Sequence, residues 1–422
     1  MSETRNIVIL GASVGGLGIA HYIVRHTLPK LQQVQDAKYV LHLVDPSTHF
    51  WWHVAAPREI VSVKAMEHSK CFVPIMDGFQ QYASLKDSVV FHHGSATDLD
   101  TKARKVSIKT HEGDQEFLDY YALVIATGVR SPTPLTTLQG DHTISQKALE
   151  EVNEQLASAK EIVVSGGGPV GVETAGEIGY TYGGKAKITL IAGSDKLLPV
   201  LRKSLADKAQ KLLEKNGVTV RYSTKVTGAE KQADGKTEIQ LDNGEKLSAD
   251  VYIPAAGVKP NTEWLPDNLK SKTGYVATNP TTLRVDGAAP RVYAAGDVAA
   301  VDQGGVLLSF SSTPVLGANL THDLLTDAKV SGAPAEKAYK RKDAETQLVP
   351  VGPKAGVAAF NGFQMPGFMV SIVKGRDYMV SPDGPGGFER GAVADPCRRR
   401  CRTCRISRKA RSMPRHKRVA VV

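Results

Sequence analysis

Two glycine-rich turns constrain the fold of this chain more than any other feature. The first occupies residues 11–16 and reads Gly-Ala-Ser-Val-Gly-Gly, and the second occupies residues 166–171 and reads Gly-Gly-Gly-Pro-Val-Gly. Each turn follows an apolar strand pattern and precedes a helical pattern, and the two lie about one domain apart. The repeat predicts an α/β protein with two Rossmann-like dinucleotide-binding units.

The first turn has the residue types that a nucleotide pyrophosphate requires. Gly11 permits the tight turn, Ser13 is small enough for close backbone approach, and Gly16 lets helix and strand pack. Ala12 and Gly15 complete the turn, and the helix start supplies amide donors and partial positive charge. Because Ser13 replaces the usual middle glycine, a plain glycine-rich turn is the alternative interpretation.

A carboxylate follows the next strand pattern. That pattern covers residues 39–44 and ends in Asp45, where a carboxylate can accept both ribose hydroxyls of an adenosine. This placement favours binding of the adenosine half of a dinucleotide at the first turn. The alternative is an aspartate that only caps a helix or a turn.

The second turn keeps all three glycines of the motif, which are Gly166, Gly168 and Gly171. Its partner strand ends at residues 192–194, which contain no carboxylate for a ribose 2′-hydroxyl. Lys196 and Arg202 follow, so a 2′-phosphate would meet no repulsion. We therefore expect NADPH to be accepted, either together with NADH or in its place.

Three further motifs occur in order along the chain. They are DYYALVIATG at residues 119–128, AAG at 255–257 followed by Pro260 and Asn261, and VYAAGDV at 292–298. With the two turns, they make residues 5–380 resemble the pyridine nucleotide and disulfide oxidoreductase superfamily. The resemblance implies bound FAD, NADH or NADPH as hydride donor, and onward transfer of two electrons, with the cofactor performing the chemistry.

The resemblance also implies particular cofactor contacts. In that superfamily the pair matched by Gly296 and Asp297 places a carboxylate on the ribityl chain of FAD, and the helix start matched by residues 313–315 lies near the flavin ring. The implied FAD contacts beyond the first turn and Asp45 are Arg58, Thr127, Gly128, Gly296, Asp297, Pro314 and Val315. The implied NAD(P)H contacts are Gly166, Gly168, Gly171, Glu173 and Gly257.

Residues 49–58 narrow the resemblance. Disulfide-reducing members of the superfamily carry a redox cysteine pair at the matching place, whereas this stretch contains no cysteine. Together with residues 373–378, it looks like the apoptosis-inducing-factor-related quinone reductases of the ferroptosis-suppressor type, which implies ubiquinone or a similar quinone as acceptor. His53, Arg58 and the pair His92 and His93 are candidates near the flavin by approximate position, with ordinary core or surface histidines as the alternative.

The motifs divide the chain into four parts. Residues 1–130 and 258–332 form a discontinuous FAD-binding domain, and residues 131–257 form an NAD(P)H-binding domain. Residues 333–380 form a small C-terminal α+β region. Residues 381–422 form a basic tail that we expect to be disordered, because blocks of like charge cannot bury themselves.

The tail contains the excess charge of the chain. The formal net charge is +10, and the Lys and Arg excess lies after residue 388. Nucleic acid or an anionic membrane is therefore expected as a partner only through this tail. Cys397, Cys401, Cys404 and His416 leave zinc or an iron-sulfur cluster as alternatives, and a further alternative is that the tail is absent from the native protein.

Cysteine usage and leader signals indicate a compartment. Cys71 is the one cysteine before the tail, so no disulfide framework is expected and a reducing compartment is favoured. We expect no signal peptide, no membrane span and no N-myristoylation. The resulting expectation is a cytoplasmic protein, in contact at most with the surface of a mitochondrial or lipid-droplet membrane.

Two other functions and the oligomeric state remain open at this point. One is a flavin-dependent redox sensor or nucleic-acid-binding effector with slow turnover, and the other is an enzyme whose acceptor is a small iron protein or a biosynthetic intermediate. The rate of NAD(P)H oxidation with quinones distinguishes the first from the leading hypothesis.

Overall fold

Two separate sheets, one mixed and one parallel, organise residues 3–380, which are the residues that this computed structural model describes. In chain order, strands β1 to β21 are Glu3–Leu10, Ala37–Asp45, His49–Trp51, Phe72–Pro74, Val89–Asp100, Lys105–Thr110, Gln115–Asp119, Ala122–Ile125, Val129–Arg130, Glu161–Ser165, Lys187–Ile191, Val218–Arg221, Val226–Lys231, Thr237–Leu241, Lys246–Ala249, Val251–Pro254, Lys259–Pro260, Val292–Ala294, Gln347–Pro350, Gly356–Phe360 and Phe363–Met365.

The helices are distributed around both sheets. Helices α1 to α9 are Val14–His26, Leu28–Leu31, Ala56–Val61, His68–Cys71, His142–Ser158, Pro169–Tyr182, Lys203–Lys215, Val306–Asp327 and Gly367–Val370. Short 3₁₀ turns cover His53–Ala55, Met76–Phe79, Ala83–Ser88, Asp267–Leu269 and Gly296–Val298, and a π-helical turn covers Ser371–Gly375.

The first sheet has the strand order β18-β8-β1-β2-β5-β6-β7. Its central strand β1 pairs in parallel with β2 and β8, and Ile7, Val8 and Ile9 in β1 are fully buried. A continuous apolar run is what a parallel strand covered on both faces requires. Strand β18 lies far along the chain yet pairs in parallel with β8, so this sheet combines residues from both segments assigned to the FAD-binding domain.

The second sheet is smaller and has the order β12-β11-β10-β16, with every pairing parallel. Its strands come from within residues 161–254, and an antiparallel meander of β13, β14 and β15 packs beside it. Two sheets, each with a set of neighbouring parallel strands and each flanked by helices, confirm the predicted α/β class with two Rossmann-like units.

The C-terminal part of the described chain is an antiparallel sheet of β19, β20 and β21, followed by α9 and the π-helical turn. Val349, Val351 and Val357 pack into the main hydrophobic core, so this unit is joined to the body by apolar contacts. Among residues 3–380, the helices fall short of the length and apolar character that crossing a membrane would demand. The tail residues Cys397, Cys401, Cys404 and His416 lie outside the described residues.

Candidate functional site

The first glycine turn connects β1 to α1. Gly11 has a φ of +104°, and a Cβ at this position would overlap the carbonyl oxygen of Ala126. A Cβ at Gly16 would overlap the carbonyl oxygen of Gly11 itself. Both positions therefore require glycine, for backbone conformation at the first and for close approach at the second.

Ser13 is the N-cap of α1, and its side chain makes no capping hydrogen bond. The hydroxyl is therefore free of the usual N-cap role. Because the first amides of a helix have no acceptor within the helix, those of Val14 and the following residues are available as donors at this turn. Ser13, Val14 and Gly15 all line the same cavity.

Asp45 ends β2 beside this turn. Its Oδ2 accepts a hydrogen bond from the Ala12 amide at 2.6 Å, and its Oδ1 accepts one from the Ser47 amide at 2.8 Å. Burial raises the pKa of Asp45 from 3.8 to about 6, although the two amide donors oppose that change. The carboxylate is held in place by backbone groups and keeps lone pairs for a ligand.

A cavity of about 560 Å³ extends along the first turn. A volume of this size is typical of small-molecule and cofactor sites. Its wall residues come from the first glycine turn, the ends of β2 and β8, residues 94–96, residues 137–140 and the start of α8. The predicted FAD residues on this wall are Gly11, Ala12, Ser13, Gly15, Asp45, Thr127, Gly128, Gly296 and Asp297.

Gly296 and Asp297 lie on this wall, where β18 ends. Gly296 has a φ of +69°, and a Cβ at Gly15 would lie 3.1 Å from its backbone, so the two turns pack closely. Asp297 Oδ1 accepts a hydrogen bond from the Gly305 amide at 3.1 Å. The second carboxylate of the cavity is therefore held by one backbone amide, whereas Asp45 is held by two.

Trp51 and His53 also line the cavity. The Trp51 indole donates a 2.8 Å hydrogen bond to Glu59 Oε2 in the interior. Burial lowers the pKa of His53, and the charges of Asp297 and Glu59 oppose this. Sequence reasoning named His53 by approximate position, whereas nothing in the local pattern identified Trp51 as a wall residue.

Thr127 and Gly128 lie where the chain leaves the first sheet. Thr127 Oγ1 donates to the carbonyl oxygen of Asn261 at 2.8 Å, and Asn261 Nδ2 donates to the carbonyl oxygen of Thr127 at 2.8 Å. This reciprocal pair joins the outgoing and returning segments between the two units. Gly128 has a φ of +66° and open space where a Cβ would point.

The structure corrects the predicted helix start at Pro314 and Val315. Helix α8 begins at Val306, after Gly304 and Gly305 with positive φ, and it contributes Val306 and Ser309 to the cavity wall. Pro314 lies inside the helix, so neither it nor Val315 is among the wall residues. The sequence interpretation failed because proline is favoured in the first turn of a helix and was taken as its start.

The structure also places Arg58 away from the cavity. Its Nε and Nη2 donate to the two carboxylate oxygens of Glu177 at 2.7 and 2.9 Å, and its guanidinium also reaches the carbonyl oxygens of Gly375 and Arg376. The guanidinium lies over the ring of the buried Tyr378, whose hydroxyl contacts Glu177 at 3.1 Å. Arg58 thus joins the first unit, the second unit and the C-terminal segment.

Glu173 is a third predicted cofactor residue that contacts another part of the protein. It was predicted to contact NAD(P)H, but its buried carboxylate forms an ion pair with Lys374 at 2.5 Å. Burial raises the pKa of Glu173 to about 7, and the Lys374 charge opposes this. The carboxylate therefore serves a contact between α6 and the C-terminal segment in this structure.

The second glycine turn repeats the geometry of the first. Gly166 has a φ of +130°, its Cβ would overlap the carbonyl oxygen of Ala255, and a Cβ at Gly171 would overlap the carbonyl oxygen of Gly166. Gly168 is the N-cap of α6 and has open space on its Cβ side. Gly257, with a φ of +76°, follows β16 and is also open. These residues form an accessible helix start at the end of the second sheet.

The cations expected near a 2′-phosphate are engaged elsewhere. Lys196 Nζ donates to the carbonyl oxygen of Leu201 at 2.7 Å, and Arg202 Nε donates to Glu345 Oε2 at 2.7 Å. The same Arg202 also donates to the carbonyl oxygen of Gly362. Both side chains therefore already have protein acceptors in this structure.

His92 and His93 lie outside the cavity wall. His92 contacts His42 at 2.8 Å and Glu116 at 2.8 Å, while His93 contacts the carbonyl oxygen of Pro46 at 3.0 Å. Both are satisfied by protein groups on the first sheet, in agreement with the alternative of ordinary histidines.

Cys71 is the cysteine that the described residues contain, and it is buried and free. Burial raises the pKa of its thiol, and the nearby Glu59 charge adds to this. A thiol that stays protonated is a poor nucleophile. Among residues 3–380 there is accordingly no cysteine pair to relay electrons.

The first glycine turn and the cavity wall together fit FAD. The close approach at Gly16, the backbone-fixed Asp45 and the second fixed carboxylate at Asp297 match, in order, a pyrophosphate, a ribose and a polyhydroxyl chain. The second turn fits a nicotinamide dinucleotide by the same glycine geometry. The arrangement supports two nucleotide ligands on adjoining units.

Comparison with known proteins gives a consistent result. The family described as "Pyridine nucleotide-disulphide oxidoreductase" matches residues 5–318. Oxidoreductase phnG of Penicillium herquei is 40% identical over 90% of this chain and 95% of its own length. Ferroptosis suppressor protein 1 of Homo sapiens is 29% identical over 90% of this chain and 95% of its own length.

A solved structure shows the same fold. The NAD-dependent persulfide reductase from A. fulgidus matches with a TM-score of 0.63 at 22% identity, over 84% of this chain. The present chain spans 64% of that protein, which is therefore considerably longer.

Proposed function

The chain belongs to the pyridine nucleotide-disulphide oxidoreductase family, and from this premise we propose that it is an FAD-dependent NAD(P)H:quinone oxidoreductase. The observation that carries the proposal is the cavity that joins the first glycine turn and Asp45 to Asp297, in a described chain without a redox cysteine pair. Electrons arriving at such a site have no protein disulfide to enter among residues 3–380. They would leave directly to a bound acceptor.

The residues of the chain position and enclose the reactants. Gly11, Asp45 and Asp297 would hold FAD, and Gly166 with Gly168 would hold the pyrophosphate of NAD(P)H. When bound, FAD supplies the chemistry by taking a hydride from the nicotinamide and passing electrons to the acceptor. Trp51, which is buried, and the partly buried His53 give the wall an aromatic surface that would exclude water from the reacting groups.

A quinone is the acceptor that we propose. The likeness to ferroptosis suppressor protein 1 covers almost the whole of both proteins. Residues 49–58 and 373–378 carry the resemblance to quinone reductases of that type. A small, flat acceptor also suits a flavoprotein whose described residues offer no dithiol relay.

Spectroscopy of the purified, FAD-reconstituted protein tests the proposal. We expect a flavin absorbance band, its bleaching by NADPH or NADH under anaerobic conditions, and its recovery when a short-chain ubiquinone is added. A protein that stays colourless after reconstitution would overturn the cofactor assignment. Bleaching followed by quinone reoxidation no faster than oxygen alone would overturn the acceptor.

A further inference from the structure

The end of β11 borders the second glycine turn. Strand β11 pairs with β10, whose end leads into Gly166, and a Cβ at Gly167 would lie 3.0 Å from the Cβ of Ala192. In a dinucleotide-binding unit, the residues after this second strand contact the adenosine ribose. Residues 192–194 therefore border the position of the 2′-substituent.

The loop after β12 is attached to these residues by its backbone. The Thr224 amide donates to the carbonyl oxygen of Ala192 at 3.1 Å, and the Ser223 amide donates to that of Ser194 at 3.1 Å. The next residue, Lys225, has its amide bonded to Asp242 Oδ1 at 3.0 Å. The backbone of Lys225 is therefore held beside the strand end.

The side chain of Lys225 crosses the face of Gly193. A Cβ at Gly193 would lie 3.1 Å from Lys225 Cγ and 3.6 Å from its Cε. Glycine at this position leaves room for the aliphatic stem, and the ammonium group extends beyond it. The side chain is exposed, and within residues 3–380 its Nζ takes part in no hydrogen bond or ion pair that we find.

The neighbouring charged groups have other roles. Arg221 pairs with Glu245 at 2.6 Å, while Lys196 and Arg202 are bound to protein acceptors as described above. The nearby acids are Asp242, whose Oδ1 accepts the Lys225 amide, and Asp195, which is exposed. No carboxylate lies within ion-pair distance of Lys225 in the described part of the chain, so this cation is available to a ligand.

We infer that Lys225 binds the 2′-phosphate of NADPH, so that the end of β11 is a site for a 2′-phosphorylated adenosine nucleotide. A phosphate at this position would replace the ribose hydroxyl that an acidic residue accepts in NAD-binding units. Lysine provides a compact point charge that suits a phosphate. The Ser194 hydroxyl, also exposed at the strand end, is a second donor within this site. The inference rests on the proposed function only in that the second turn must bind a nicotinamide dinucleotide.

The test compares two nucleotide fragments on the FAD-loaded full-length protein. Isothermal titration calorimetry measures binding of adenosine 2′,5′-bisphosphate and of adenosine 5′-monophosphate. The variant Lys225→Met keeps the aliphatic stem against Gly193 and removes the charge, while Lys225→Arg keeps the charge. Lys231→Met is the matched control, because Lys231 is an exposed lysine at the far end of β13, the strand that begins directly after Lys225.

We expect Lys225→Met to weaken bisphosphate binding roughly tenfold or more, as for loss of a charged hydrogen bond. Monophosphate binding should stay unchanged, and Lys225→Arg and Lys231→Met should behave like the unmodified protein. The kcat/KM ratio of NADPH to NADH should fall by the same factor in Lys225→Met. Equal loss for both fragments, or no loss for the bisphosphate, would overturn the inference.

Failure of the proposed function has a different signature. If neither NADH nor NADPH bleaches the flavin and neither fragment binds the unmodified protein, the second turn is not a dinucleotide site. If NADH bleaches the flavin and the monophosphate binds while Lys225→Met has no effect, only the role of Lys225 is wrong.

Discussion

The two glycine turns have the same backbone and different surroundings. The amide of Gly11 donates to the carbonyl oxygen of Val44, and that of Gly166 donates to the carbonyl oxygen of Ile191, both at 2.8 Å. A second hydrogen bond is also repeated. The Ala126 and Ala255 amides each donate, at 2.7 Å, to the carbonyl oxygen of the residue that precedes the glycine turn of their unit. The local geometry therefore does not distinguish the two ligands.

The difference lies at the end of the neighbouring strand. In the first unit this strand ends in Asp45, an acceptor fixed by two backbone amides. In the second unit the corresponding strand leads into residues 192–194, which are small. Lys225, whose ammonium group has no protein partner among the described residues, lies across Gly193. A carboxylate accepts from hydroxyls and repels phosphate, whereas an ammonium attracts phosphate. If the proposed ligands bind, one repeated scaffold would acquire opposite preferences through the charged group that borders the neighbouring strand end in each unit.

The largest expected effect comes from adding one methyl group to each turn. Gly16→Ala forces a Cβ into the carbonyl oxygen of Gly11 and should abolish FAD retention, because backbone cannot give way there as a flexible side chain can. Gly171→Ala creates the same overlap at Gly166 and should spare the flavin while abolishing its reduction by NADPH. The ratio of flavin to protein absorbance, followed by anaerobic NADPH addition, measures both.

Gly184→Ala is the control for glycine replacement, since it lies in the second unit and a Cβ there meets open space. This variant should keep both FAD retention and flavin reduction by NADPH. We expect only a small loss of folding stability, because residue 184 has a positive φ. If Gly171→Ala lost its flavin as readily as Gly16→Ala, the two turns would not be independent and the division of ligands between them would be wrong.

The next largest effect concerns the contact that holds the two units together. Arg58 in α3 and Glu177 in α6 form a nearly buried bidentate pair. Arg58→Met leaves the Glu177 carboxylate buried without its cation, which costs about 3–5 kcal/mol of unfolding free energy. Denaturant unfolding of the FAD-loaded protein measures this loss.

The matched control is Arg221→Met, which removes a more exposed pair with Glu245 within the second unit. We expect that change to cost at most about 1 kcal/mol. Similar losses for the two variants would show that the contact between the units adds nothing beyond an ordinary surface pair.

Sequence reasoning found the parts of the site that local pattern determines. The glycines at positions 11, 16, 166 and 171, and Asp45 at a strand end, have requirements that arise within a few residues of each position. The motifs quoted at residues 119–128 and 292–298 likewise contain the strands at residues 122–125 and 292–294. Residues that determine backbone conformation and strand order can therefore be recognised directly in the sequence.

The contacts that were missed join residues far apart in the chain. Arg58 and Glu177 are separated by more than a hundred residues, as are Glu173 and Lys374, so no periodicity relates the members of either pair. The start of α8 was misplaced because Pro314 outweighed the apolar run before it. One sequence signal could have identified Lys225. Residues 192–194 contain no acid, and this absence directs attention to cations close to the next strand that pairs with β11.

Asp45→Asn tests what distinguishes the first turn. An amide side chain has one acceptor oxygen, so its NH₂ group would face either the Ala12 or the Ser47 amide, donor against donor. We expect FAD affinity to fall about tenfold to a hundredfold, corresponding to loss of a charged hydrogen bond of about 1.5–3 kcal/mol. Flavin fluorescence during titration of the FAD-free protein measures the dissociation constant, and NADP⁺ binding to the second turn should be unaffected.

The smallest effect is a pH dependence that only the first turn should show. Burial raises the pKa of Asp45 from 3.8 to about 6, so the fold favours the protonated carboxyl. The FAD-free protein should therefore gain stability from this group at low pH and lose it as pH rises from about 4 to about 6.

The affinity for FAD should change with pH in the opposite direction, because ribose hydroxyls donate to the ionised form of Asp45. The affinity should increase through pH 6 and then level off, by roughly tenfold at most. In Asp45→Asn both trends should disappear, and binding of NADH, whose pyrophosphate does not change charge near pH 6, to the second turn should lack this step in the unmodified protein. A step near pH 6 in FAD affinity that survives Asp45→Asn would assign it to another group and remove the carboxylate as the feature that separates the two turns.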